Sequence, residues 1–320
     1  MKHKKFLISI DTEGDNLWDY KPGDKITSKN TDYLLRFQNL CDKYGFKPTY
    51  LTNYEMASDP HFVETFKPVA EGNRCEIGMH LHAWNSPPDY TLTPRDDGLY
   101  GSAYLIEYPL DIMEQKIACM TDLITDRFGQ KPITHRAGRW ATDQNYFNLL
   151  NKFGYLADCS VTPGISWEDC PGFTKDSKGT DYTDFNRKPY TINGTDILEI
   201  PVTVRQNHRF RKPAKKRLKS YLGNAYRAWR GTGKIWLRPN GNNLENMLWL
   251  CDDVYRSNNK YLMFMLHSSE FMPGGSPTFD TPQKVEKLYE DLEILFKHIS
   301  EKYDGATIGE YAKSLKEAHN

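Results

Sequence analysis

The sequence predicts an α/β protein built from successive β/α units around a parallel sheet or barrel. Three observations carry this. Short apolar-alternating runs are followed repeatedly by longer amphipathic runs, no Gly- or Ser-rich linker divides the chain, and no repeat of roughly 20 to 50 residues appears. The whole of residues 1–320 reads as one domain, and 320 residues suffice for a sizeable core.

Taken in order, KFLISIDTE is a strand, and NTDYLLRFQNLCDKYGF is a helix with an Asn or Thr cap and a terminal Gly. PTYLTN is a strand, PHFVETFKPVAEG a helix, CEIGMHLH a strand, and LDIMEQKIACMTDLITDRFG a long helix ending in Gly. ITHRAG then reads as a short strand, TDQNYFNLLNKFG as a helix and YLADCS as a strand. Residues 161–195, rich in Gly, Asp, Thr and Pro, form a loop insertion. DILEIPVTV is a strand, NNLENMLWLCDDVYRS a helix, KYLMFMLHS a strand, residues 281–303 a helix, and GATIGEYAKSLKE a strand running into a last helix.

Composition is ordinary for a globular protein, with 38% hydrophobic and 26% charged residues, and the mean hydropathy of -0.71 implies a wet surface. The basic N-terminal residues lead into a short apolar run that ends in acids, which does not read as a signal peptide, and no stretch approaches the roughly 18 apolar residues of a membrane span. A cytoplasmic location, peripheral to an inner membrane at most, is the expectation. The six cysteines are scattered without a CxxC pair and read as reduced packing residues.

Charge is balanced at 42 basic and 42 acidic residues but unevenly spread. Residues 201–244 contain twelve Lys or Arg and no Asp or Glu, leaving 30 basic residues against all 42 acids in the rest. Such a segment can recruit a diphosphate, a polyanionic glycan or an anionic membrane surface, or it can simply be a solvated face. Nucleic acid is not expected at a pI near 7.1.

Polar chemistry in β/α folds gathers at the C-terminal ends of the strands. Alternation puts Ser9, Asp11 and Glu13 on one face of the first strand and Gly78, His80 and His82 on one face of the third, opposite the apolar Ile8, Ile10, Met79 and Leu81. Two imidazoles and a carboxylate make a His2Glu set, which suits a catalytic divalent ion and leaves a position for water. Such an ion lowers the pKa of its water from about 16 to about 7, and Asp11 would then take the proton. Zinc is the first expectation, while Co, Ni, Fe and Mn also accept N and O donors. HxH or DxE alone more often marks satisfied polar residues, so the joint occurrence carries the reading, and Asp15 stands as an alternative to Glu13. Arg136 is placed to orient a base, Arg139 reads as a surface salt bridge, and His267, closing a very apolar strand, is a candidate general acid.

SIDTEGD, EIGMHLHAW, HRAGRW, YLADCS and FMLHS, in this order and followed by ATIGEYAKSL, resemble the motifs of polysaccharide deacetylases of the NodB-homology kind, the carbohydrate esterase family 4 type, from Ile8 to Ala312. The resemblance implies a distorted (β/α)7 barrel and metal-dependent hydrolysis of an N-acetyl group on an amino sugar. It implies Asp11 as catalytic base, Glu13, His80 and His82 as metal ligands, Arg136 as orienter of the base, Asp158 as support for the acid or the arginine, and His267 as general acid. The chain departs from the family pattern at Glu13 in place of an adjacent aspartate, at Trp84 where the second histidine usually stands, and at AGRW after the motif arginine. HLHAW and RAGRW resemble the branch that builds surface polysaccharides such as O-antigen or capsule, which implies a nucleotide- or lipid-linked glycan substrate. The alternatives are a glycan-binding barrel without turnover and another metal-dependent hydrolase, such as a phosphoesterase.

Overall fold

A computed structural model describes residues 4–21, 23–207, 222 and 233–318. Its centre is a curled parallel sheet. β1 (Lys4–Thr12) pairs with β2 (Pro48–Thr52), which pairs with β3 (Glu76–Leu81), followed by β4 (Thr134–Ala137) and β5 (Ala157–Asp158). β6 (Tyr190–Thr191) lies antiparallel on β7 (Leu198–Glu199), which continues the sheet beside β5. β8 (Val204–Asn207) leaves the sheet and forms a two-stranded hairpin with β9 (Gly233–Trp236). β10 (Tyr261–His267) runs along the other edge of β1, and β11 (Tyr303–Ala306) pairs with the first half of β1 where β2 takes the second half. The outer edge of β10 meets irregular backbone: the Met263 amide donates to Thr203 Oγ1 at 2.9 Å and the Met265 amide to the Leu237 carbonyl at 3.2 Å. The ring of strands is thereby distorted at that seam.

The helices are α1 (Thr31–Lys43), α2 (Tyr54–Ser58), α3 (Pro60–Glu71), α4 (Leu110–Phe128), α5 (Gln144–Lys152), α6 (Leu244–Arg256), α7 (Pro282–Ser300) and α8 (Ile308–Glu317). Their starts follow local chemistry. Asp59 caps α3 ahead of Pro60, Asp143 accepts from the Tyr146 amide at the head of α5, and Thr307 and Glu310 form a reciprocal capping box on α8. At its end α4 turns left-handed at Gly129, where φ is +73°.

Alternation along the strands separates two apolar layers. Phe6, Ile8, Ile10 and Met79 pack outward with Phe37, Phe62, Ile117 and Phe296 of the helices. Leu7, Leu51, Ala157, Met263 and Met265 fill the interior, which Ile308, Tyr311 and Ala312 of α8 plug from below. Gly78 belongs to this interior, and a methyl there would lie 2.3 Å from Thr134 Oγ1.

Two expectations need correction. DILEIPVTV holds only the two residues of β7 and the first residue of β8, because Pro201 has no amide for a ladder and the chain then turns to pair with β9. YLADCS keeps only two strand residues. The 161–195 segment is partly organised, with bridges Ser166 to Asp181 and Pro171 to Lys178. No helix among the described residues is long and apolar enough to cross a membrane. Most of the basic segment lies outside the described residues. Of its cations Arg205 faces Asp253 at 3.5 Å, Lys234 donates to Gln206, and Arg238 enters the site described next.

Candidate active site and metal centre

Strand register builds the site. Asp11 pairs with His267 across β1 and β10, and His80 with Arg136 across β3 and β4, so each pair shares the inner face at the C-terminal ends of the strands. Glu13 and His82 follow just beyond β1 and β3, and all six side chains but that of His267 are at least nine-tenths buried.

Glu13, His80 and His82 converge. Their ligand atoms lie within 4.8 Å of one another. His80 Nε2 is 3.6 Å and His82 Nε2 3.2 Å from Glu13 Oε2, and the two Nε2 atoms are 2.9 Å apart. The ring of His80 is oriented by its Nδ1, which donates to the Arg136 carbonyl at 2.9 Å and turns Nε2 toward the other two donors. Trp84 lies against His82 with ring centroids 4.3 Å apart. Gly138 makes room beneath it: a methyl there would come within 2.5 Å of His82 Cδ2 and of the Leu81 carbonyl. Two nitrogens and an oxygen, buried and aimed at one point, fit a divalent ion of the zinc type. Asp15 is excluded from this set by its own bonds, to Thr27 Oγ1 at 3.0 Å and from the Lys29 amide at 2.9 Å.

Burial opposes charge on Asp11, but Arg136, His80 and His267 outweigh it and hold the carboxyl down to about 2. Arg136 donates from Nη1 to Asp11, from Nη2 to Ser9 Oγ at 2.9 Å and from Nε to the Cys159 carbonyl at 3.1 Å, so each nitrogen of this buried guanidinium has an oxygen partner. Burial together with the neighbouring His80 pushes the His82 ring down to about 3. It is therefore neutral, the form that ligates a metal. Burial also works against charge on His80, yet Asp11 and Glu13 reverse this and raise it.

His267 Nε2 stands 3.8 Å from Asp11 Oδ2 and 3.9 Å from Glu13 Oε1. Its Nδ1 faces Glu270 Oε2 at 3.0 Å, and Arg238 Nη2 reaches both Nδ1 and that carboxylate, at 3.1 and 3.2 Å. The Glu270 carboxylate also accepts from the His267 amide at 2.9 Å. Glu270 and Arg238 were not among the residues expected from sequence. One follows β10 on a short turn and the other follows β9, with no local pattern to single them out.

Asp158 lies elsewhere. Its register partner in β4 is His135, which pairs in turn with Met79, so alternation places it on the helix-facing side of the sheet. It bonds His135 Nδ1 at 2.6 Å and accepts from the Ser160 amide and hydroxyl at 2.9 Å, while His135 Nε2 meets Tyr146 OH at 2.8 Å. Arg139 is no surface ion pair either. With Trp140 it adopts left-handed backbone, φ +55° and +65°, and it stacks on Tyr104 at 4.2 Å and donates to the carbonyls of Ser102 and Pro171. It thus ties two loops to the rim of the cleft.

The groups described open into a cleft of about 400 Å3 walled by Trp18, Trp84, Tyr104, Trp140 and Trp167. Acids, imidazoles and aromatic walls of this kind suit metal-assisted hydrolysis of a ligand with flat faces.

No family model matches the chain, and no curated protein matches it. Solved structures do. A protein assigned as a polysaccharide deacetylase in Mycobacterium smegmatis superposes with TM-score 0.53 at 15% identity, over 99% of this chain and 92% of its own. One assigned likewise in Pseudomonas aeruginosa PAO1 gives TM-score 0.54 at 14% identity, over 98% and 91%. A 4-alpha-glucanotransferase from Thermococcus litoralis gives 0.54 at 14% identity, over 98% of this chain but 40% of the enzyme. At such identities the likeness is one of fold, and the fold is the expected distorted (β/α)7 barrel of the polysaccharide deacetylase type. Because one architecture serves different chemistries, activity has to be argued from the site.

Proposed function

We propose that this protein is a divalent-metal-dependent hydrolase that removes an N-acetyl group from an amino sugar of a glycan. The observation that carries the reading is that a buried Glu13, His80 and His82 donor set stands beside a carboxylate and an imidazole, Asp11 and His267, which face each other across 3.8 Å.

Glu13, His80 and His82 would hold the ion. When bound there, it polarises an acyl carbonyl and makes water acidic enough to ionise near neutral pH. The chain's own residues do the rest. Asp11, ionised and fixed by Arg136, takes a proton from the attacking water onto its carboxylate. His267, its Nδ1 held by Glu270, presents Nε2 to the cleft and hands a proton to the departing nitrogen. Trp18 packs edge-on against His267 at 5.1 Å. The aromatic walls position a pyranose by its faces. Asp158 and His135 support Arg136 from behind the sheet, through β4 and through the Cys159 carbonyl.

The surface-polysaccharide branch, a nucleotide- or lipid-linked substrate, a single-domain chain working in the cytoplasm, and a membrane contact through the basic segment complete the proposal. Their support is in the sequence. A phosphoesterase is the second reading, favoured by Arg139 and Arg238 in the cleft wall. Both guanidiniums are committed to protein oxygens, however, and Arg238 is matched by Glu270, which weakens it.

The test is acetate release from N-acetylated amino-sugar oligomers by zinc-loaded protein, with p-nitrophenyl phosphate as the competing probe. Chelator-sensitive acetate release supports the reading. Phosphate release without acetate replaces it, and glycan affinity with neither product identifies a binding protein.

A further inference from the structure

At the opposite end of the barrel from the metal centre lies a cavity of about 380 Å3. Tyr261 opens β10 there, and the length of that strand separates it from His267, roughly 20 Å of extended chain. Its walls come from the antiparallel β6 and β7 with Tyr190 and Leu198, from the chain entering β10 with Asn258 and Lys260, and from the last turn of α8 with Lys316. The volume falls within the range of about 300–1,000 Å3 over which proteins enclose small organic ligands.

Lys188, Lys260 and Lys316 all belong to the lining, and none of them lies in the basic segment 201–244. Among the described residues no Asp or Glu lines the cavity, and none of these three lysines forms an ion pair with a carboxylate. Like charges gathered around one hollow raise the local concentration of anions. Tyr311, also in the wall, is only 5% exposed, and its buried hydroxyl finds no hydrogen-bond partner among the described residues. An unpaired buried hydroxyl is costly, so its place here calls for a partner that the chain does not itself supply. The walls are fixed by the fold. Lys4 Nζ donates to the carbonyls of Val254, Tyr255 and Ser257, and Ser257 Oγ accepts from the Asn259 amide at 3.2 Å, which pins the chain before β10. Tyr190 is held in register against Glu199, and Tyr311 lies against Tyr261 with ring centroids 5.4 Å apart. A preformed wall reduces the ordering cost of binding.

We infer that this cavity binds a compact organic anion, a carboxylate, sulfonate or phosphate carried on an apolar, ring-sized body. The anionic group is matched by the ammoniums, of which Lys188 and Lys260 are exposed, and the body by Tyr190, Leu198 and Tyr261. Asn258 and the Tyr311 hydroxyl offer hydrogen bonds. Neither half of the lining suffices alone, because an inorganic anion leaves the apolar wall in water and a neutral ring leaves the ammoniums unmatched. The inference stands apart from the chemistry of the cleft, since none of Asp11, Glu13, His80, His82 and His267 lines this cavity.

The probe is 8-anilinonaphthalene-1-sulfonate, an anion on an aromatic body, titrated by fluorescence and calorimetry against the full chain. Wild type is compared with the double variant Lys260→Glu, Lys316→Glu and with Tyr311→Phe. N-phenyl-1-naphthylamine supplies the same rings without the sulfonate, and sulfate at constant ionic strength supplies an anion without the rings. The expected dissociation constant rises at least about tenfold in the lysine variant and about threefold in Tyr311→Phe, and both comparison compounds bind wild type at least about tenfold more weakly than the sulfonate. Amine acetylation mapped by mass spectrometry on wild type should show Lys188, Lys260 and Lys316 protected by the probe, a readout that holds even where a variant fails to fold. Equal affinity in all three proteins, or protection of other lysines only, overturns the inference. Naphthylamine binding as tightly as the sulfonate overturns the requirement for an anion, and sulfate binding as tightly overturns the requirement for an apolar body.

Discussion

Arg136 donates from Nη1 to the Asp11 carboxylate in a part of the barrel where the two side chains are 0% and 3% exposed. Each is the other's neutralising charge, and removing one leaves the other buried and unpaired, at a cost of about 3–5 kcal/mol. Asp11→Asn and Arg136→Met should each lower unfolding free energy by about that much, and both should abolish acetate release. The double variant should lose at least about 2 kcal/mol less than the sum, as measured by denaturant titration. Additive losses would mean that the two side chains act separately.

Gly138 is a glycine because His82 occupies the space a side chain would need. Gly138→Ala should therefore displace His82 and weaken metal binding by about tenfold to a hundredfold, the scale of a disturbed ligand support. His80→Ala and His82→Ala should bring the metal content, by elemental analysis after dialysis, close to zero. Equal metal in wild type and both histidine variants would remove the ligand assignment altogether.

The Glu270 carboxylate and the His267 ring meet at 3.0 Å, so Glu270 is a positioning residue for the proposed acid. His267→Ala should lower kcat about a hundredfold to ten-thousandfold, the range for loss of an acid–base group. Glu270→Gln should lower kcat less, about tenfold, and change the pH profile of kcat while leaving metal content and KM near wild type. A fall in KM-dependent terms alone would assign Glu270 to substrate binding instead.

Much of this site is legible in the sequence because it depends on period two. Ser9, Asp11, His80 and the apolar residues between them announce their faces by alternation, and β1, β3 and β10 are long enough to show it. Where strands shorten, the signal goes. Two residues of β5 cannot reveal that Asp158 looks at the helices with His135. Glu270 and Arg238 reach His267 from a turn and a loop some thirty residues apart in sequence, a relation that only tertiary closure creates. The left-handed pair Arg139 and Trp140 is equally silent, since neither residue type announces positive φ. The pairing of β8 with β9 went unread for a different reason: β8 runs on directly from DILEIPVTV while its partner β9 begins only at Gly233, and Pro201 is the local hint of the break.

Glu55 provides a pH test away from the chemistry. It follows β2 on α2 and accepts from Asn53 Nδ2 at 2.6 Å and Asn85 Nδ2 at 2.7 Å. Burial, with a smaller contribution from the charge of Glu13, pushes its carboxyl up to about 7 from an ordinary 4.5. A folded pKa above the unfolded value means that the fold favours the protonated form. The stability it contributes is complete below pH 4.5 and drains away as pH rises through 7. Glu55→Gln cannot ionise and escapes that loss. Between pH 5 and pH 8.5, with chelator present to keep the charge near Glu13 constant, wild type should lose roughly 1–3 kcal/mol relative to the variant. Unfolding curves of the two proteins that stay parallel across this range would show that Glu55 is ionised at little cost in the folded chain, and that water reaches it between α2 and the Asn85 loop.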